Sequence, residues 1–428
     1  MDKPLRLGIA GLGTVGIGVI KIIQRDAALI SARAGRNIVI SAVSARYPSK
    51  QRDVDLSRYS WEADPIKLAQ RTDVDIFVEL IGGADGVGKD SVEAAIAARK
   101  DVVTANKAML AHHGQHLAEQ AESGKTCIRF EAAVAGGIPV VKSLSEGLSA
   151  NTVSRVMGVM NGTCNFILTR MEKAGLPYEQ AFAEAHSLGY LESDPRLDID
   201  GIDAGHKLAL LAAIAFGTRP DFNNVDLEGI DQVSIEDIHA AADMGFKIKL
   251  LGVAQRTTCG LEQRMHPCLV PATSPLGQLD GGTNMIVIES SAAEQIVLSG
   301  PGAGEGPTAS AVIGDVCDLA RGLRMPVFGQ SAKNLTAIEK SQSELPAPYY
   351  LRMSLLDKPG SLAKIAGILG ENSVSIDRMR QKRHDSRSAP VIIVTHKATP
   401  AAIGEAIDQM SHSDTITDPP VAFRIEHV

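Results

Sequence analysis

Leu5-Arg-Leu-Gly-Ile-Ala10-Gly11-Leu-Gly13-Thr-Val-Gly16 decides how the amino-terminal part of this chain is read. A short apolar run ends in three glycines spaced GxGxxG, and Thr14 to Gln24 then carries apolar residues at helical spacing. Strand, glycine turn and helix in that order form the context in which the spacing has a mechanism. Gly11 permits the tight turn, Gly13 lets the backbone approach a pyrophosphate, and Gly16 lets helix and strand pack closely. The helix N-terminus, with its unsatisfied N–H groups, faces the anion. Thr14 and Val15 belong to the same cofactor-facing turn.

Working outward, Ile38–Val43, Val74–Ile81 and Val102–Thr104 read as further strands, with a helix over Asp90–Arg99. Strands alternating with helices predict an α/β fold, a doubly wound parallel sheet of the Rossmann type over about residues 1–130. Around Cys127 to Phe130 the pattern changes. Helix-rich sequence from Gly175 to Phe216 and mixed Gly/Pro-rich segments predict an α+β catalytic and dimerisation domain over 131–307. A helix over Ala309–Leu323 is expected to return to the first domain, completing it with about 308–340. Ser341 to Pro348 has linker composition. Beyond it, 349–428 follows a strand-helix-strand-strand-helix-strand rhythm, the ferredoxin-like order. Its strands are Tyr350–Leu356, Ser375–Met379, Pro390–Thr395 and Val421–Ile425, and its helices Leu362–Leu369 and Pro400–Met410.

Composition narrows the class. Apolar residues make up 44% of 428 and charged residues 22%, ordinary for a globular chain, and a net charge of −7 argues against a nucleic-acid surface or a polybasic membrane anchor. The five cysteines are scattered without a CxxC pair, which favours a reducing cytoplasm over a disulfide framework or zinc site. The apolar run Leu208 to Phe216 is too short to span a bilayer, which takes about 20 residues.

Three further motifs bear on chemistry. The second strand ends Val43-Ser-Ala-Arg46 with no acid before Asp53. An NAD-preferring site places Asp or Glu there; Arg46 is either a reader of the NADP 2′-phosphate or a solvated surface arginine. Thr104-Ala-Asn-Lys107 follows a strand, and in an open α/β sheet that points Thr104 and Lys107 toward the cofactor crevice, although an ordinary helix-entry lysine would look the same. Gly189 through Lys207 is the most specific stretch, placing Glu192, Asp198, Asp203 and Lys207 within nineteen residues. Asp203 and Lys207 stand at i and i+4, so they share one helix face. A surface ion pair has the same signature. The apolar run that follows argues for burial instead, and a buried lysine coupled to carboxylates suits proton donation.

Taken together, the glycine turn, Glu79-Leu-Ile-Gly-Gly, Val103-Thr-Ala-Asn-Lys107, Asn161-Gly-Thr, Asp194-Pro-Arg-Leu-Asp198, Gly201-Ile-Asp203-Ala-Gly-His-Lys207 and Gly302-Ala-Gly304 resemble homoserine dehydrogenase over residues 5 to 330. The tail, from Leu355-Leu-Asp357-Lys-Pro-Gly360 through Val374-Ser-Ile, resembles an ACT regulatory domain.

The resemblance implies reversible, NADP- or NAD-dependent reduction of aspartate 4-semialdehyde to homoserine, in threonine, methionine and isoleucine biosynthesis. It implies Lys207 as proton donor, Lys107 near both ligands, and Asp203 with Asp198 at the substrate. Glu192 would stand between substrate and cofactor, with Gly189 and Gly304 against the cofactor. It also implies a monovalent cation, Na or K, on the backbone carbonyls of Glu131, Val134, Gly136 and Ile138. An amino-acid effector, threonine, is expected at Asp357 and Gly360, and a homodimer or homotetramer is the expected assembly. Leu191, Cys164 and Phe166 depart from the family pattern and leave local pocket shape open.

Two rivals stay in view. Reduction of an acyl phosphate would need a cysteine nucleophile with a base beside it, and none is identifiable. A silent amino-acid sensor would have no use for Lys107, Asp203 and Lys207.

Overall fold

The computed structural model describes residues 3–191, 194–258, 260–338, 345–381 and 388–427. Its first layer is built from β1 (Leu5–Ala10), α1 (Thr14–Ala34), β2 (Ile38–Ser44), β3 (Ser60–Trp61), α2 (Pro65–Gln70), β4 (Ile76–Glu79), α3 (Val87–Ala97), β5 (Asp101–Thr104), α4 (Lys107–Gly124) and β6 (Ile128–Arg129). All six strands pair in parallel in the order β3-β2-β1-β4-β5-β6. The order reverses between β1 and β4, which opens the ligand crevice at their carboxyl ends. β4 and β5 are buried along their whole length, so their short apolar runs carry no alternation. The strand expected over Val74–Ile81 is shorter because Asp75 is held by Arg6 and the Glu79 carboxylate already accepts the Ile81 and Gly82 N–H groups. β3 and β6, two residues each, were too short to foresee.

The helix expected over Ala309–Leu323 runs Glu305–Ala320 and lies on α1. Gly18 of α1 makes that contact close: a Cβ there would sit 2.7 Å from the Glu305 carbonyl. Val312, Ile313 and Val316 join the core of the first layer.

The second sheet contains β7 (Val153–Val159), β8 (Asp226–Leu227), β9 (Phe246–Thr257), β10 (Gly260–Pro271), β11 (Thr283–Ser290) and β12 (Glu294–Pro301), in the order β12-β11-β7-β9-β10 with β8 beside β10. The helix Ile202–Phe216 packs against it, with Leu208, Leu210 and Leu211 fully buried. The mixed segments of the sequence are thus two long hairpins. The buried charged residues Lys249, Glu262 and Arg264 interrupt the apolar pattern of β9 and β10.

The tail supplies β13 (Tyr349–Leu356), β14 (Ile376–Gln381), β15 (Ser388–Thr395) and β16 (Ile416–Ile425), with helices Ser361–Glu371 and Pro400–Ser411 between them. Strand and helix order follow the ferredoxin-like expectation. One feature differs from a tethered module. β16 pairs in parallel with β10 (Cys268 with Arg424, Leu269 with Ile425), so the second sheet continues into the tail. Glu426, 5% exposed, accepts from Arg264 at 2.5 Å, Arg424 at 2.7 Å and Arg155 at 3.4 Å. Tyr350 and Arg352 meet Asp237 at 2.8 and 2.6 Å. These buried charge contacts tie the tail to the second sheet and to Asp237 beside it. Residues 341–344 of the expected linker lie outside the described residues.

Candidate active site

The glycine turn has the geometry its spacing requires. Gly11 has φ +100°, and a Cβ there would lie 2.3 Å from the Leu80 carbonyl; one on Gly16 would lie 2.0 Å from the Gly11 carbonyl. Gly13 faces open space. It also caps the 21-residue α1 without a side-chain hydrogen bond, leaving the first N–H groups for an anion. Close packing at Gly11 and Gly16 with an open face at Gly13 fits a dinucleotide pyrophosphate.

Beside the turn, Thr14, Val15, Lys107, Gly136, Gly189, Asp198, Asp203, Lys207 and Gly304 line one cavity of about 640 Å³. At its floor, Lys207 Nζ lies 2.6 Å from Asp203 Oδ2, and Lys107 Nζ lies 2.9 Å from Asp203 Oδ1. Lys107 opens α4 and Lys207 sits in the helix Ile202–Phe216, so one carboxylate ties the two layers together. Burial pushes the Asp203 carboxyl up, but the Lys207 and Lys107 ammoniums outweigh burial and hold it well below the usual carboxylate range. Asp203 is therefore ionised at any working pH. Asp198, 4% exposed, accepts from Asn161 Nδ2 at 2.8 Å. His206 packs on Phe222; burial and the neighbouring His112 push it down to about 4, so it is neutral near pH 7.

Gly136 apart, the remaining predicted site residues among those described do not line this cavity. Thr104 is fully buried, and its hydroxyl donates to Glu79 (2.6 Å) while accepting from the Asn106 N–H (2.9 Å). It braces the loop from which Lys107 projects. Arg46 is exposed beyond β2. Arg52, which sequence reasoning missed, donates to the Tyr47 and Leu12 carbonyls at 3.0 and 3.4 Å, tying the loop after Arg46 to the glycine turn. Glu131, Val134, Gly136 and Ile138 share one tight loop in which Ala135 and Gly136 have φ +54° and +53°. Asp357 and Gly360 lie exposed on the tail. Glu192 lies outside the described residues.

One partner of Lys207, and the side chain that shares it, had no signal in the sequence. The Met160 carbonyl accepts from Lys207 Nζ at 2.9 Å and from Asn284 Nδ2 at 3.1 Å. A backbone oxygen leaves no trace in residue types, and Asn284 stands beside Thr283 at the start of β11, ahead of its apolar run, where a polar residue is unremarked. Cys164 is fully buried, with its thiol pushed well up by burial and donating to the Asp198 carbonyl, so it is no nucleophile.

Comparison with known proteins gives the same picture along the chain. Residues 11–131 match the model for the homoserine dehydrogenase NAD-binding domain, 139–317 that for homoserine dehydrogenase, and 349–412 that for the ACT domain. The chain is 40% identical to the homoserine dehydrogenase of Neisseria gonorrhoeae over 99% of both chains. It is 39% identical to that of Pseudomonas aeruginosa over 100% of both. A homoserine dehydrogenase structure from Thiobacillus denitrificans superposes with a TM-score of 0.94 at 37% identity, covering 99% of each chain. A hyperthermophilic archaeal homoserine dehydrogenase in complex with NADPH gives 0.64 at 26% identity, covering 74% of this chain and 97% of its own. Order, coverage and identity agree from end to end, and they place this chain in the homoserine dehydrogenase family.

Proposed function

We propose that Lys207 is the proton donor, and Lys107 and Asp203 its partners, in the interconversion of aspartate 4-semialdehyde and homoserine. The observation that carries this is the Lys107–Asp203–Lys207 cluster on the floor of a cavity bordered by the glycine turn. The bound nicotinamide would supply or accept the hydride. Lys207, fixed by Asp203 and the Met160 carbonyl, would then give its proton to the substrate oxygen, or recover it in reverse. The ionised Asp203 keeps both ammoniums oriented, and Lys107 offers a second positive charge to a substrate carboxylate. Asp198, and Glu192 by resemblance, provide acceptors for the substrate ammonium. Absorbance of the reduced nicotinamide, followed with homoserine and then with the semialdehyde, tests the reading; no turnover with either would leave the sensor alternative.

Several finer points belong to the same reading. Gly11, Gly13 and Gly16 shape the pyrophosphate cradle, while Gly189 and Gly304 flank the cofactor. Arg46 favours NADP by meeting its 2′-phosphate, with Arg52 holding the adjoining loop in place. The 131–138 loop suits a monovalent cation held by carbonyls. The Glu131 and Ile138 carbonyls each accept one backbone N–H, from Val134 and Val140 respectively, and a carbonyl has a second lone pair to offer. No group of acidic, His or Cys side chains among the described residues competes for a metal there.

Gly360, φ +92°, caps the eleven-residue helix Ser361–Glu371 without a side-chain bond. That leaves N–H groups for an effector carboxylate, with Asp357 for its ammonium, and threonine is the expected ligand. Homodimer or homotetramer assembly is expected. Among the described residues no helix is long and apolar enough to cross a membrane. The four described cysteines are free and buried, which supports a cytoplasmic setting.

A further inference from the structure

Lys249, in β9, is 1% exposed. Its Nζ donates to Asn165 Oδ1 at 2.9 Å and to the Leu279 carbonyl, both neutral oxygens. The nearby acids are engaged elsewhere: Asp280 with Lys173 and Lys247, and Glu172 with Lys247. A buried ammonium without a carboxylate is costly, and an apolar side chain of similar length would fill the space at less expense. What distinguishes Lys249 from packing is the segment it holds.

Residues 279–281 are pinned by polar side chains at each backbone group that matters. Asn165 Nδ2 donates to the Gly281 carbonyl at 2.7 Å, and Thr169 Oγ1 accepts the Gly281 N–H at 3.2 Å. Thr169 in turn donates to the Asn165 carbonyl at 2.6 Å. The next residues enter the cavity. The Gly282 carbonyl lies so near Gly162 that a Cβ there would be 2.7 Å away, and a Cβ on Gly282 would lie 3.1 Å from the Tyr190 ring. Tyr190 is itself stacked on Phe166, with its carbonyl bonded to Thr163. Two residues further, Asn284 reaches the same Met160 carbonyl that holds Lys207.

We propose that Lys249 is a positioning residue for the amino-acid substrate site. Its ammonium fixes the Leu279–Gly281 segment, so that Tyr190, Gly282 and Asn284 form a rigid wall beside Lys207. It touches neither cofactor nor reacting atoms, and its influence passes through Asn165 and Leu279.

The test uses the full chain with Lys249→Met, which keeps length and removes the donors, together with Thr169→Val, which removes the acceptor for Gly281. Lys249→Met raises KM for homoserine roughly 10-fold, the loss of one charge-assisted hydrogen bond. kcat changes less than KM, and NADP(H) affinity stays at the wild-type level. The melting temperature changes little, because relief of a buried charge offsets the loss of the donor to Asn165 Oδ1 and the Leu279 carbonyl. Thr169→Val shifts KM in the same direction, and the double variant falls short of the product of the two effects, since both act on one segment. A folded Lys249→Met enzyme with unchanged KM overturns the proposal, as does a lowered melting temperature with kinetics untouched, which would mark a purely structural lysine. If Lys249→Met does not fold, Thr169→Val decides by the same KM criterion, with an unchanged KM refuting.

Discussion

Asp203→Asn removes one charge and almost no volume, and it should disable the site more than its size suggests. The native carboxylate, 9% exposed, faces Lys207 at 2.6 Å and Lys107 at 2.9 Å. At an effective dielectric constant of about 20, each pair attracts by roughly 6 kcal/mol before desolvation is subtracted. Removing one partner of a buried pair costs about 3–5 kcal/mol net, because the remaining charge is left uncompensated. Here two ammoniums are left, and the new amide can accept from only one while its NH₂ group confronts the other. If that loss falls on the transition state, it corresponds to a drop in kcat/KM of about 10²- to 10⁴-fold. The assay is steady-state kinetics in both directions, with NADP(H) affinity measured by nicotinamide fluorescence as a control. Cofactor affinity should stay near wild type, since the glycine turn is untouched. A folded Asp203→Asn enzyme within threefold of wild-type kcat/KM would show that the carboxylate is a bystander and refute the reasoning.

Three further outcomes follow from the same geometry. Asp203 is held below its ordinary range, so the stability it contributes is fully present above the unfolded-state value of about 4 and is lost as pH falls toward the folded value. Urea midpoints of wild type minus Asp203→Asn should therefore shrink with acidification below about pH 4, and a constant difference would argue otherwise. Arg46→Ala should lower kcat/KM with NADP by roughly 10-fold while sparing NAD, as expected for one charge-assisted phosphate contact; an unchanged ratio makes Arg46 a surface residue. Asp357→Ala should abolish threonine inhibition without altering basal turnover, and inhibition that persists would place the effector elsewhere. Truncation after Leu345 is a poorer test of the tail, because it strands Arg264, 3% exposed, without Glu426.

Local signals in the sequence carried the cofactor layer almost entirely. Gly11 and Gly16 each meet a steric demand that residue type and spacing announce, and Gly13 leaves the turn open between them. Asp203 and Lys207 were legible as an i, i+4 pair, and the apolar run behind them settled burial against a surface ion pair. What stayed hidden was written in backbone or at long range. The Met160 carbonyl that shares Lys207 with Asp203 has no side-chain signature. The union of β16 with β10 rests on Glu426 meeting Arg264 and Arg155, contacts that span 162 and 271 residues. β9 and β10 escaped notice because Lys249, Glu262 and Arg264, which look like surface charges, are buried among their own polar partners.

The central claim is that Lys207 moves the proton while the cofactor site is a separate piece of construction. The most direct test is Lys207→Ala, assayed with saturating cofactor in both directions and titrated for NADP(H) binding. The account predicts that turnover falls by about 10²- to 10⁴-fold, the usual cost of losing a general acid, with cofactor affinity unchanged. Near-normal turnover in both directions from a folded Lys207→Ala enzyme would contradict it.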